Sequence, residues 1–87
     1  SCVYGAVYNS KDHEKIPMEK IDNIIKKYYK RELKILFDEI NTGYDSRVYR
    51  RIRFVTDYKN CMSDKLKNKI NKVLNMNIRI VYYIISG

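Results

Sequence analysis

The chain has 87 residues, 45% hydrophobic and 32% charged, with a formal net charge of +8 at pH 7. That length allows one small core, so residues 1–87 are expected to form a single domain. No run of eighteen apolar residues is present to cross a membrane, and no basic-then-apolar opening resembles a signal peptide.

A start at Ser1 rather than Met reads as a processed or excised piece, and an intracellular setting, cytoplasmic or nuclear, is the default expectation. Cys2, Cys61 and the lone His13 lack metal-site spacing, so no metal ligands are expected; both thiols are expected to be reduced, the alternative being a pair if the fold brings the N-terminus beside the second helix. Charge is unevenly divided. Residues 1–43 carry eight Lys/Arg against seven Asp/Glu, whereas residues 44–87 carry ten against three. An acidic partner is therefore expected at residues 44–87, whether an acidic protein surface, an anionic lipid surface or nucleic acid.

In chain order, Val3 to Tyr8 is short, aromatic and β-branched, and predicts a strand whose exposed edge would make a dimer easy. Asn9 to Glu14 is turn material. Lys15 to Met18 suits a brief second strand, with Pro17 at an edge or end because it cannot donate to a ladder. From Lys20 to Ile40 the apolar residues Ile21, Ile25, Tyr29, Leu33, Leu36 and Ile40 recur at steps of four and three, which predicts one long amphipathic helix. Its opposite side would carry Lys26, Lys27, Lys30 and Lys34, and Asn41-Thr42-Gly43 would stop it, Gly43 taking the left-handed conformation.

Arg47 to Tyr58 alternates, with Val48, Ile52 and Phe54 on one face and Arg47, Tyr49, Arg51, Arg53 and Val55 on the other. Ser63 is a candidate N-cap for a second helix with the core stripe Leu66, Ile70, Val73 and Leu74. Ile78 to Ile85 is almost continuously apolar and suits a central strand covered on both faces. The expected fold class is α+β: a small sheet of three to five strands with one long and one shorter amphipathic helix packed on it.

No catalytic set emerges. Asp38 and Glu39, adjacent on the expected helix, would diverge and read as solvated surface groups. Arg47, Tyr49, Arg51 and Arg53 interleave guanidinium groups with an aromatic ring, a pattern that can hold phosphates and stack a base of RNA or single-stranded DNA. Glu32 borders the apolar stripe, either exposed or paired with an inward cation.

"VYGAVY", residues 3–8, is similar to the end of the protein-kinase loop pattern G-x-G-x-x-G-x-V, with Gly5 as its third Gly and Val7 as its Val. "KIPMEKIDN" lies where a kinase has its third strand, and "KRELKIL" resembles the following helix, whose Glu would be Glu32. "IRIVYYIISG" resembles the fifth strand entering the hinge. The order resembles the N-terminal lobe of a serine/threonine kinase.

The departures are Cys2 at the second Gly position, Glu19 at the reactive Lys position with Lys20 one residue late, and a helix within residues 59–77 that such a lobe lacks. Catalytic-loop and metal-binding motifs are absent, so phosphoryl transfer by this chain alone is not implied. The resemblance implies a catalytically incomplete, kinase-lobe-like binding module that holds ATP weakly through Gly5, Val7, Lys20 and Glu32 and docks a partner. Alternatives are a basic nucleic-acid-binding domain using Arg47, Tyr49, Arg51 and Arg53, or a viral-type interaction or inhibitory module.

Overall fold

A computed structural model describes residues 1–41, 43 and 45–86; Thr42, Tyr44 and Gly87 fall outside the described residues, and with them the Thr42 part of the expected stop. The elements are β1 (Cys2–Asn9), α1 (Met18–Tyr28), β2 (Lys34–Ile40), β3 (Tyr49–Thr56), α2 (Asp64–Asn77) and β4 (Ile80–Ser86), with 3-10 turns at Ser10–Lys15 and Tyr58–Asn60. The four strands form one antiparallel sheet in the order β2-β3-β1-β4. The parallel partners β1 and β2 are separated by β3, and β3 and β4 by β1, which is the split β-α-β arrangement called ferredoxin-like. The α+β class expected from the sequence is the one found.

Alternation divides each strand between two layers. Tyr4, Ala6 and Tyr8 of β1 and Ile52 and Phe54 of β3 pack against Ile21 and Ile25 of α1 and Leu66, Ile70, Val73 and Leu74 of α2. Fully burying each such aliphatic side chain contributes roughly 1.5–3 kcal/mol. The opposite face of the sheet carries no helix among the described residues. Ser63 caps α2 as expected, its Oγ accepting from the Leu66 amide at 3.3 Å, and Gly43 takes the left-handed conformation at φ 76°.

Five expectations are corrected. The Lys20–Ile40 helix ends at Tyr28, and its second half is β2. Tyr29 adopts an extended backbone and donates its hydroxyl to the Asn60 carbonyl, which turns the chain away. Leu33, Ile35 and Phe37 then pack on the core at a spacing of two, a period hidden beneath the three- and four-residue steps of Leu33, Leu36 and Ile40. The strand expected at Lys15–Met18 is instead the end of a 3-10 turn and the entry to α1, with Pro17 at the N-cap.

The apolar run at the C-terminus forms an edge strand, not a central one, and β1, expected to offer an exposed edge, is central. Gly5 accordingly lies inside β1, opposite Arg53, and not in a hairpin. The thiols are joined: Cys2 and Cys61 form a disulfide across a sequence separation of 59, with Cα atoms 5.5 Å apart. The fold brings the start of β1 beside the turn before α2, which is the condition under which the two cysteines could pair.

Gly5 has no room for a side chain. A Cβ there would collide with the Ile52 carbonyl oxygen and stand 3.0 Å from the Arg53 Cα, all of it backbone. Gly5→Ala should therefore destabilise the protein by about 3 kcal/mol or prevent folding, which urea denaturation checks. Removing the disulfide as Cys2→Ser with Cys61→Ser should cost about 2–4 kcal/mol through release of a long loop in the unfolded chain. The same measurement reads it.

Candidate functional site

The uncovered sheet face gathers the arginine strand as its alternation requires. Register sets Val7 between Arg51 on β3 and Tyr82 on β4, and Gly5 between Arg53 and Ile84. Val7 is fully buried although no helix lies over it. The long flanking side chains close above it, so this face offers no apolar slot at Val7.

Asp38 and Glu39, read as solvated helix groups, sit on β2 and point to opposite faces. Each meets the arginine directly across the ladder: Asp38 faces Arg51 and Glu39 faces Arg50. Asp38 accepts from Arg51 Nε at 2.7 Å and Nη2 at 2.5 Å, while Arg53 Nη2 stands 3.8 Å away. Glu39 lies 3.6 Å from Arg50. Asp45 takes Arg47 at 3.0 Å and the Tyr49 hydroxyl at 3.2 Å. The structure thus brings Tyr49, Arg51 and Arg53 to one face, with Arg47 just before it. It also supplies two carboxylates, Asp38 and Asp45, which compensate part of the charge of the three arginines.

Gly5, Val7, Lys20 and Glu32 are not brought together. Gly5 and Val7 lie inside β1, Lys20 on α1, and Glu32 in the connection before β2, beside Lys34 and Asp57. The expected lysine face of Lys26, Lys27, Lys30 and Lys34 is likewise divided. Lys26 and Lys27 belong to α1, Lys30 follows its end, and Lys34 is on β2. His13 packs edge-on to Phe37 and sits 2.6 Å from the Tyr8 hydroxyl.

The uncompensated charge lies on the helical layer. A groove of about 430 Å³ between α1 and α2 has Ile24 and Val73 in its lining and is bordered by Lys20, Asn23, Lys27, Tyr28, Lys69 and Lys72. On α2, Lys65, Lys69 and Lys72 follow each other at four and three residues, and on α1 Lys20 and Lys27 are seven apart. Each row therefore covers about 10 Å along its helix. Three ammonium groups surround the Tyr28 ring, at 4.7 Å (Lys69), 5.4 Å (Lys27) and 5.9 Å (Lys65) from its centroid. None of these lysines makes an ion pair among the described residues.

The Tyr28 hydroxyl is held below its ordinary pKa, first by the Lys69 ammonium beside it and then by Lys27. The site draws on both halves of the chain. Its sequence signal was the lysine spacing on α2 opposite the Leu66–Ile70–Val73 stripe, but nothing in the sequence paired that row with α1.

The geometry so far defines a small, basic, ferredoxin-like domain with a lysine-lined interhelical groove and a charge-compensated sheet face. No protein-family model matches the chain, and no curated protein matches it in sequence.

The Asp38 carboxyl is held below its ordinary value, chiefly by the hydrogen bonds from Arg51. A lowered folded-state pKa means stabilisation that is present above the unfolded value, about 4, and is lost as pH falls through the lower folded value. The unaltered protein should therefore lose stability below about pH 4 more steeply than Asp38→Asn, as followed by thermal melts across that range. Parallel pH profiles would contradict the pairing.

Proposed function

We propose that this protein is a nucleic-acid-binding module that holds the phosphate backbone in the groove between α1 and α2. The observation that carries this reading is the convergence of Lys27, Lys65 and Lys69 on the Tyr28 ring with no carboxylate partner among the described residues. Ammonium groups crowded together repel one another, and a bound anion relieves that repulsion. Lysine offers point charge on a flexible stem and so suits a backbone whose phosphates lie at variable positions. Tyr28, 40% exposed, offers a ring face at the groove for an unstacked base.

Asp38 and Asp45 argue against the arginine strand as the principal phosphate contact, because any phosphate there must compete with a carboxylate already hydrogen-bonded. Tyr82, 46% exposed on the same face, remains a candidate stacking surface for a strand that wraps the β4 edge. No helix here is long and apolar enough to cross a membrane among the described residues. The Cys2–Cys61 bond favours an oxidising setting over the cytoplasm or nucleus expected from the sequence.

Single-stranded RNA and DNA oligonucleotides should bind the oxidised protein with a slope of log K against log salt of about −3, as expected for four or five lysine–phosphate contacts. Lys69→Ala with Lys72→Ala should flatten that slope by about 1, whereas Arg51→Ala should change it little. Fluorescence anisotropy over a salt series measures all of these. Binding to heparin of matched charge without binding to RNA or DNA would overturn the nucleic-acid reading, as would a slope insensitive to the lysine changes.

A further inference from the structure

The two sheet edges differ sharply in charge. β2 carries Lys34, Asp38 and Glu39 along its seven residues, the kind of charges that keep an edge from pairing with another chain. β4, the other edge, reads Ile-Val-Tyr-Tyr-Ile-Ile-Ser without a charged residue, in a chain that is 32% charged. Val81, Tyr82, Tyr83 and Ile85 are 49%, 46%, 38% and 71% exposed. One side of β4 is bonded to β1, and no strand among the described residues pairs with its other side.

We propose that β4 pairs antiparallel with β4 of a second copy of this chain, across a two-fold axis at Tyr83, joining two sheets into one. Charge selects the occupant. Each copy carries +8, so two copies repel wherever lysine-rich faces meet, and β4 is the strand on which they approach without opposing like charges. An acidic partner would be drawn to the lysine groove and finds no cation on β4 to answer it.

The register is self-complementary. With Tyr83 on the axis, Tyr82 faces Ile84, Val81 faces Ile85, and Ile80 faces Ser86, none of them charged; the irregularity of β4 against β1 falls between Ile80 and Tyr82, to one side of the central pairs. Such a pairing is closed and isologous, and stops at two copies because β2 is charged. The axis runs perpendicular to the sheet, so both pairs of helices lie on the same side of the joined sheet. This inference stands apart from the nucleic-acid reading.

Sedimentation velocity of the full chain, from low micromolar to several hundred micromolar, tests it. The expected result is a shift from a 10.5 kDa species to one of twice that mass. Val81→Lys and Ile85→Lys, both at exposed positions, should each abolish the heavier species while leaving the melting temperature within a few degrees. A monomer at every concentration overturns the proposal, as does a dimer that both variants leave intact. Should either variant unfold, Tyr83→Cys decides: a covalent dimer under mild oxidation supports the two-fold at Tyr83, and its absence refutes it.

Discussion

The close backbone approach of β1 to β3 at Gly5 is the constraint on which the rest of the molecule depends. Gly5 lies in the middle of β1, hydrogen-bonded neighbours lie on both sides of that strand, and any side chain at this position would strike the Ile52 carbonyl. Only with β1 central do Tyr4, Ala6 and Tyr8 form the floor on which both helices rest, while Val7 is sealed from the other side by Arg51 and Tyr82. The disulfide ties the start of that same strand to the turn before α2, so the central strand and the second helix are held at one end by a covalent bond.

Charge is organised by that architecture. The ladder brings an acid opposite each of two arginines, Asp38 to Arg51 on the uncovered face and Glu39 to Arg50 on the other, and the charge of the arginine strand is partly compensated. On the helical face the groove lysines make no such pair among the described residues. Lysines of α1 and α2 meet around Tyr28 and their charge is left for solvent or a ligand. A count of charges by halves of the chain places the excess at residues 44–87, yet the groove takes Lys20 and Lys27 from the first half. The helix-helix contact, not the linear sequence, concentrates the field.

The two proposals occupy different surfaces for the same electrostatic reason. A molecule with this net charge attracts polyanions where its cations are unpaired and can approach its own kind only where cations are missing. β4 is the edge strand with no charged residue, and the groove is the place where lysines crowd without carboxylate partners among the described residues. A two-fold axis perpendicular to the sheet would carry both grooves to one side, so pairing at the edge leaves the cationic layer continuous and exposed.

The sequence by itself determined the α+β class, the strand at residues 3–8, the alternation from Tyr49 to Val55, the Ser63 cap, the buried stripe of α2 and the left-handed Gly43, whereas Arg47 and Val48 precede the strand. These depend on local period, capping chemistry and backbone freedom, which neighbouring residues specify. What lay beyond it was decided by contacts between distant segments. In residues 20–40 a four-residue apolar series fits a helix as well as it fits alternate residues of a strand. Only the free edge of β3, waiting for a partner, settles the second half as β2. The same holds for the edge position of β4, the joining of Cys2 to Cys61, and the neutralisation of Arg51 by Asp38. Each depends on which strand lies beside which, and strand order is a property of the whole packed sheet.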